Sequence, residues 1–343
     1  MLSPNTATRA RALTPDAATF LVGDVGGTNC RLALAQDSGA GLTLFSARGY
    51  KCADFPQAET AIAGYLDALG WESPLRATVI AVAGPVRGGV VQSTNMAWRL
   101  SEVALTSRRL GRAMLVNDYT ALALSVEHLT CADLQPIGRD VQEDPAAPVA
   151  IIGAGTGFGA GVLMRGGFVD VPIATEGGHV SFAPGDDIEI EILRILMRQF
   201  GRVSIERLLS GPGLVNLRRA LCEIAGRPRE ELCSEDIVHE AERGDLLSQL
   251  ALERFCAIYG SVAGDFALAY GARGGIYLGG GIAPAIVARL ERSAFRARFE
   301  EKGRFHAYMT GIPTQIITNT TAALLGAAHL AWETSAGRQA EQW

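Results

Sequence analysis

Two short stretches rich in glycine and threonine have the composition of anion-binding loops. The first is Asp24–Asn29, which reads DVGGTN and follows an apolar run. Gly26 and Gly27 leave room around the backbone and can adopt positive φ, so that N–H groups and the Thr28 hydroxyl can approach an anion closely. A Gly-Gly tip also occurs in purely structural hairpins, but the acid before it and the threonine after it favour phosphate. We therefore expect a phosphate-binding β-hairpin over residues 20–34.

The second stretch, Gly155-Thr156-Gly157, repeats this arrangement. It is flanked by the apolar runs 149–154 and 158–164, and so it has the same pattern of a strand, a glycine-threonine tip and a second strand. A repeat of this kind inside one chain indicates two similar lobes. We expect the lobes to face each other across a cleft, each with one hairpin directed at a phosphate group.

The pair Asn117-Asp118 is a candidate for proton transfer. It follows the buried strand predicted over residues 113–116. A carboxylate at the end of a strand and the start of a helix is held on rigid elements, as a general base must be. Aspartate is also a good helix N-cap, and the two roles do not exclude each other. The amide of Asn117 beside it favours a functional site.

Glu176 and His179 flank two glycines. On a helix, a glutamate and a histidine three residues apart would share one face and could bind a metal ion. Gly177 and Gly178 disfavour a helix, however. On an irregular loop, a carboxylate and an imidazole are better suited to hydrogen-bonding sugar hydroxyls. Such a site rejects an analogue that lacks a hydroxyl, because a polar group of the site is then left unpaired.

Composition argues against several classes of protein. The chain has 343 residues and a net charge of −5, without a basic stripe, which argues against a nucleic-acid partner. No apolar run reaches the roughly 18 residues that a membrane span needs. The six cysteines show no Cys-x-x-Cys pair, so we expect reduced thiols, packed as small core residues, in a cytoplasmic protein. His128, His239, His306 and His329 have no partner nearby in sequence and receive no role.

The order of predicted elements is that of an α/β protein with two domains. Residues 1–18 are predicted to be a mobile tail, 19–130 with 319–343 a small α/β lobe, and 131–318 a large α/β lobe. An apolar helix over 321–332 would cross back to the first lobe. The polar stretch 139–148 is the candidate linker, and a hinge somewhat earlier in the chain is the alternative. The run 77–83 is typical of a strand buried on both sides. A long helix over 245–270 is expected to end at Gly271.

Seven motifs, in order along the chain, carry a resemblance to a known family. They are Asp24–Asn29, Asn117-Asp118, Gly155–Gly157, Glu176–His179, Ser204–Arg207, Ser210–Gly213 and Gly279–Gly281. Together they make the chain resemble the bacterial ATP-dependent glucokinases, from about residue 19 to about residue 331. That family belongs to the sugar-kinase, Hsp70 and actin superfamily. The resemblance therefore implies a two-lobed actin-like ATPase (ribonuclease H-like) fold with a central cleft, each lobe a mixed sheet flanked by helices.

The resemblance also implies an activity, the transfer of the γ-phosphoryl group of ATP to the 6-hydroxyl of D-glucose. Asp118 would be the general base, and the sugar would be bound by Asn95, Asn117, Asp118, Glu176, His179 and Glu206. The nucleotide site would contain Asp24, Gly26, Gly27, Thr28, Asn29, Gly155, Thr156, Gly157, Gly279, Gly280 and Gly281. Asp24 would hold Mg²⁺ directly or through water. From the residues alone, Asp24 could be a turn-forming acid and Glu206 a solvated helix acid.

Partners and rival functions follow from the same resemblance. A homodimer is the family's usual form. A kinase of the same fold for another hexose or an N-acetylhexosamine is an alternative, and so is a sugar-sensing regulator. The regulators of the related ROK family carry a DNA-binding segment, for which the roughly 19 residues before the first strand are too few. The ROK kinases carry a Cys-rich zinc motif, which this chain lacks, so no structural zinc is expected. An actin-like or Hsp70-like ATPase without a sugar is disfavoured by Asn117-Asp118 and the Glu-Gly-Gly-His motif.

Overall fold

The computed structural model describes residues 17–39, 41–92, 98–139, 141–167, 170–228 and 230–335. The chain divides into two compact units, of which the first comprises residues 1–129 and 320–343 and the second comprises residues 130–319. The lobe boundaries expected from the sequence lie beside these divisions and stay a prediction. Residues 1–16 of the predicted tail, and Asn95 of the predicted sugar site, lie outside the described residues.

Each unit contains a β-sheet. The described strands are β1 (Thr19–Val25), β2 (Asn29–Asp37), β3 (Leu42–Lys51), β4 (Ala77–Val82), β5 (Val90–Val91), β6 (Leu100–Ser101), β7 (Arg112–Asn117), β8 (Leu134–Pro136), β9 (Val149–Ala154), β10 (Phe158–Met164), β11 (Val171–Thr175), β12 (Gly275–Gly279) and β13 (Thr314–Ile317). Both predicted hairpins are present, as β1–β2 and β9–β10. Every residue of β4 and of β9 is buried, which explains why these strands are apolar throughout.

Helices connect and cover the strands. They are α1 (Ala58–Ala68), α2 (Glu102–Leu105), α3 (Asp118–Ser125), α4 (Asp187–Phe200), α5 (Gly211–Ile224), α6 (Ser234–Glu242), α7 (Leu246–Tyr270), α8 (Ile282–Ala285), α9 (Val287–Arg292), α10 (Phe295–Glu300), α11 (His306–Thr310) and α12 (Ala322–Ser335). Short 3₁₀ turns lie at Cys52–Asp54, Val126–His128, Cys131–Asp133, Gly177–His179, Ile205–Arg207 and Gly303–Phe305.

The two main sheets share one topology. In the first unit the strand order is β3-β2-β1-β4-β7, in which β1, β2 and β3 are antiparallel and β4 and β7 continue the sheet parallel to β1. In the second unit the order is β11-β10-β9-β12-β13-β8, with the same antiparallel and parallel parts and one further antiparallel strand, β8. The predicted internal repeat is therefore confirmed, as is an α/β fold with a mixed sheet in each unit.

The long helix α7 organises the core of the second unit. The Asp245 side chain accepts a hydrogen bond from the Ser248 N–H at 2.8 Å, and Gly271 ends the helix with a φ of 61°. Both ends match the prediction. Gly260 and Gly264 lie one turn apart, and a Cβ on either would meet a backbone carbonyl of α10, which was not predicted. These two glycines therefore allow α7 and α10 to pack closely.

The terminal helix α12 belongs to the first unit, as predicted, and packs against α3, β1 and β4. Gly326 lies at the closest approach to α3, where a Cβ would overlap the Ala121 carbonyl. The connection of α12 to the first sheet therefore depends on a residue without a side chain.

The candidate linker, residues 139–148, lies inside the second unit, because the division between the units falls earlier, near residue 130. β8 already pairs with β13 of the second sheet, with Gln135 opposite Ile316, so the chain has entered the second unit before residue 139. Glu143 and Asp144 of the stretch instead form ion pairs within that unit. One example is Asp144, whose carboxylate lies 2.7 Å from the Arg273 guanidinium.

Candidate active site

The first glycine-threonine tip connects β1 to β2. The Gly26 N–H donates to the Asn29 carbonyl at 2.9 Å, which closes the turn. The Thr28 carbonyl accepts from the Cys52 N–H at 2.9 Å, which ties the tip to the end of β3. Gly27, Thr28 and Asn29 are exposed. The tip is thus fixed by its own backbone and remains accessible to a ligand.

Asp24 stands one residue before the end of β1. It lies opposite Arg31 in the β1–β2 register, with 3.6 Å between its Oδ2 and the guanidinium Nη1. Its side chain is 25% exposed. Burial disfavours the charged carboxylate and raises its pKa above the usual range, while the charge of Arg31 opposes that shift. A bound cation would compensate the carboxylate further, and Mg²⁺ commonly takes only one or two protein carboxylates beside phosphate oxygens and water. The donor at Asp24 fits such a site.

Asn117 and Asp118 lie at the junction of β7 and α3, as predicted. The Asn117 Oδ1 accepts hydrogen bonds from the N–H groups of Tyr119, at 3.0 Å, and Thr120, at 3.3 Å. Its amide Nδ2 donates to the Gly84 carbonyl at 3.3 Å. Asn117 is therefore the N-cap, and the capping role that we considered for Asp118 belongs to its neighbour. Asp118 is the first helical residue, and its Oδ1 accepts from the Tyr119 N–H at 3.0 Å.

The second tip, between β9 and β10, is surrounded by two further glycine-containing segments. The Gly155 carbonyl accepts a hydrogen bond at 2.8 Å from the N–H of Gly211, the first residue of α5. The backbone nitrogen of Gly281 lies 3.9 Å from the position that a Cβ on Gly155 would take. Thr156 is exposed. The tip, the start of α5 and the turn over 279–281 are therefore neighbours in the second unit.

Glycine serves these turns mainly by leaving space. The backbone at Gly26, Gly155 and Gly157 does not adopt positive φ, so the left-handed backbone that a glycine permits is not used at these positions. Gly280 is different, because its φ is 75° and a Cβ there would collide with the backbone of Ala154. Only glycine meets both conditions at that position.

The segment with Glu176 and His179 forms a single 3₁₀ turn and not the irregular loop that we expected. The His179 N–H donates to the Glu176 carbonyl at 3.0 Å. Gly177 and Gly178 are buried, and a Cβ on Gly178 would collide with the Phe158 carbonyl of β10. The two polar side chains stay accessible, at 69% and 60% exposure, with 3.8 Å between the carboxylate and the imidazole Nε2. The glycines thus let the turn pack on β10 and leave its polar groups available to a ligand.

Glu206 reaches the second tip. Its Oε2 accepts a hydrogen bond at 2.9 Å from the backbone N–H of Phe158, the residue that follows the tip. The same oxygen lies 2.5 Å from the position that a Cβ on Gly157 would take. Glu206 is in a 3₁₀ turn and is partly buried. The interpretation of this residue as a solvated helix acid is therefore wrong.

A short backbone pairing joins the two turns that carry these acids. The Phe182 N–H donates to the Val203 carbonyl at 3.0 Å, and the Ile205 N–H donates to the Val180 carbonyl at 2.9 Å. Arg202 adds a side-chain bond, from its Nη2 to the His179 carbonyl at 2.5 Å. The structure thus brings Glu176, His179 and Glu206 together beside the second tip.

No role was expected for two contributors to this arrangement, Arg202 and Ser210, although Ser210 begins one of the seven motifs. No local pattern marks Arg202, because its partner lies 23 residues away. Ser210 does have a signal, since a serine followed closely by proline is typical of a helix start. Its Oγ accepts from the Gly213 N–H at 2.9 Å and donates to the Glu206 carbonyl at 2.8 Å. The cap of α5 therefore also supports the Glu206 turn.

Other expectations concern thiols, metals and membranes. Cys30, Cys52, Cys222 and Cys256 are buried, but Cys131 and Cys233 are exposed, so the expectation that all six are core residues is wrong. In the described parts of the chain, no three or more His, Cys, Asp or Glu side chains are grouped so that they could hold a metal ion. A search of the same residues finds no helix that is long and apolar enough to cross a bilayer.

Comparisons with known proteins agree with this architecture. The sequence model of the glucokinase family matches residues 21–334. A glucokinase of Caulobacter sp. (strain K31) is 51% identical over 311 residues, which cover 90% of this chain and 93% of that protein. The crystal structure of a glucokinase from an Antarctic psychrotroph superposes with a TM-score of 0.84 at 33% identity, covering 92% of this chain and 99% of that one.

A more distant structure shares only the fold. It is a ROK family glucokinase from Streptomyces griseus in complex with glucose and AMPPNP, with a TM-score of 0.62 at 18% identity, covering 92% of this chain and 99% of that one. Because the family model matches residues 21–334 and the Caulobacter glucokinase is 51% identical over 90% of the chain, the chain belongs to the glucokinase family.

Proposed function

We propose that this protein transfers the γ-phosphoryl group of ATP to the 6-hydroxyl of D-glucose, giving glucose 6-phosphate and ADP, the entry reaction of glycolysis. The family membership supports the activity. The structural observation that carries the proposal is the placement of Glu176, His179 and Glu206 beside the tip at residues 155–157. Groups that suit hydroxyls lie next to groups that suit phosphate, as transfer between the two requires.

The sugar-binding role of the second unit rests on accessible polar groups. Glu176 and His179 present a carboxylate and an imidazole on a turn that is held to β10. Glu206 presents a second carboxylate. Because a carboxylate accepts hydrogen bonds and a hydroxyl can donate one, the set suits a ligand with several adjacent hydroxyls. Asn95, Asn117 and Asp118 are the other residues of the proposed set.

Asp118 is the proposed general base. It accepts the proton of the 6-hydroxyl as the hydroxyl oxygen forms its bond to the γ-phosphorus, while the bond from that phosphorus to the β-phosphate oxygen breaks and ADP leaves. The capping of α3 by Asn117 supports this assignment, because the helix start does not depend on Asp118 for its cap. The base is thus positioned by rigid elements on both sides.

The nucleotide is assigned to the two tips and the third glycine turn. Residues 26–29 and 155–157 would bind phosphate oxygens through backbone N–H groups and the hydroxyls of Thr28 and Thr156, and residues 279–281 would contact the nucleoside. The AMPPNP complex of the Streptomyces griseus relative supports ATP as the donor. Mg²⁺, held at Asp24, would offset phosphate charge when bound. We also propose a cytoplasmic homodimer, in keeping with the family resemblance and the free cysteines.

A coupled assay of ADP release across a panel of hexoses tests the proposed activity. We expect glucose to be the preferred acceptor and ADP release to require it. A preference for mannose, fructose or an N-acetylhexosamine would assign another sugar to the same site. ATP hydrolysis that is independent of sugar, without a phosphorylated product, would contradict the proposal and favour an ATPase.

A further inference from the structure

The backbone of Phe158 is where the proposed sugar site and the second tip meet. Its N–H donates to the Glu206 Oε2 at 2.9 Å, and its carbonyl lies against Gly178, in the turn of Glu176 and His179. Phe158 immediately follows Gly157, the last residue of the tip. A movement of either acid-bearing turn is thus transmitted to the tip through the backbone of one residue, Phe158.

Glu206 has two oxygens with different surroundings. Oε2 is engaged by the Phe158 N–H, whereas Oε1 receives no hydrogen bond from any residue that the structure describes. The residue is partly exposed. A carboxylate can use both oxygens at once, one for a backbone donor and the other for a ligand hydroxyl. The geometry therefore allows one side chain to contact the sugar and the phosphate-binding tip together.

We propose that Glu206 is a positioning residue for the second tip and that, through it, the binding of glucose and the binding of nucleotide are coupled. This inference rests on the proposed function. A sugar hydroxyl on Oε1 holds the carboxylate in the position from which Oε2 fixes the Phe158 N–H, and so it favours the tip conformation that binds phosphate. Coupling is reciprocal, so nucleotide must strengthen glucose binding by the same factor.

The two glycines of the tip offer a matched pair of variants. Neither has positive φ, so alanine is compatible with the backbone at both positions. In Gly157→Ala the new Cβ would lie 2.5 Å from the Glu206 Oε2 and must displace the carboxylate, while in Gly155→Ala the nearest atom is 3.9 Å away. One substitution disturbs Glu206 and the other does not, although both change the same tip.

Calorimetric titration with glucose alone measures the first effect. We expect Gly157→Ala to weaken glucose binding on the order of ten-fold, as for the loss of a hydrogen bond to a charged group, and Gly155→Ala to change it less than about two-fold. In a Glu206→Ala background, Gly157→Ala should have little further effect, because its target is gone. Equal glucose affinities for the two glycine variants, with melting temperatures near that of the wild type, would overturn the inference.

Titration with AMPPNP and Mg²⁺, without sugar, tests whether Glu206 positions the tip when no glucose is bound. Glu206→Ala should weaken AMPPNP binding on the order of ten-fold, and Glu206→Gln should restore most of the affinity, because the amide oxygen can still accept the Phe158 N–H. Unchanged affinity in a folded Glu206→Ala variant would overturn the positioning role. A wild-type protein that binds AMPPNP but not glucose would instead contradict the proposed substrate, and the two failures are thus distinguishable.

Discussion

The imidazole Nε2 of His128 lies 2.8 Å from the Nδ1 of His329, although the two residues are 201 positions apart. The pair joins the end of the α3 region to α12. Burial lowers the pKa of both histidines, and the proximity of His329 lowers that of His128 further, while Glu127 opposes both shifts. Glu333 also lies near, at 3.7 Å from His329. The folded state therefore favours neutral imidazoles at this position.

The stability of the protein should consequently fall as the pH falls below the ordinary histidine pKa of 6.5. Because the pKa values are lowered on folding, the unfolded chain binds more protons in this range, and the stabilisation present above pH 6.5 is lost towards lower pH. Melting temperatures between pH 7.5 and 5.5 should drop less for His329→Gln than for the wild type. His239→Gln, at an exposed position, is the control. Parallel pH profiles for all three proteins would contradict this prediction.

Replacement of Asp118 by asparagine should lower kcat on the order of 10²–10⁴ while glucose binding stays largely intact, because the amide keeps the shape but cannot take the proton. Steady-state kinetics and glucose titration measure the two effects. Asp187→Asn is a matched control, since Asp187 is also the first residue of a helix after its N-cap. Near wild-type turnover in Asp118→Asn would contradict the assignment of Asp118 as the general base.

The substitution Glu176→Gln should weaken glucose on the order of ten-fold or more and ATP much less, because hydrogen bonds to a charged group are stronger than those to an amide. The KM values for the two substrates provide the comparison. Glu191→Gln, which changes a surface acid paired with Arg194, should leave both values unchanged. Equal increases in the KM values for glucose and ATP would contradict the assignment of Glu176 to the sugar site.

Removal of the charge at Asp24 should raise the Mg²⁺ concentration needed for half-maximal activity on the order of ten-fold, as expected when a group that supports a metal is lost. The measurement is a Mg²⁺ titration at fixed ATP with Asp24→Asn. Asp37→Asn is the control, because Asp37 ends β2 of the same sheet and its Oδ1 accepts a hydrogen bond from a turn N–H, that of Gly39, which an asparagine oxygen can also do. An unchanged Mg²⁺ concentration for half-maximal activity in Asp24→Asn would contradict a role of Asp24 in binding the metal.

Gly326→Ala should destabilise the first unit by about 1–3 kcal/mol, because the added Cβ overlaps the Ala121 carbonyl and forces α12 away from α3. Gly64→Ala is the control within another helix of the same unit. There the nearest atom to the new Cβ is 3.7 Å away, on Phe55, and alanine should be neutral or stabilising by up to about 1 kcal/mol. Chemical denaturation measures both, and a Gly326→Ala variant as stable as the wild type would show that the helices separate without cost.

The local sequence was sufficient to predict the elements. The hairpins at β1–β2 and β9–β10 follow from apolar runs around a glycine-threonine tip, and α7 follows from Asp245 at its start and Gly271 at its end. Such signals predict elements correctly because the preference of a short segment for helix, strand or turn depends mainly on its own residues. The repeat of the hairpin also predicted two units with similar sheets, and the ordered motifs predicted the family.

Contacts between distant segments were decided by the tertiary structure alone. The hydrogen bond from Phe158 to Glu206 spans 48 residues, and that of His128 to His329 spans 201, so no pattern in either neighbourhood predicts them. A side chain's partner depends on which elements pack together, and packing is a property of the folded chain as a whole. The sequence thus determined which residue types are available for binding, and the fold determined that Glu206 lies beside the tip at residues 155–157.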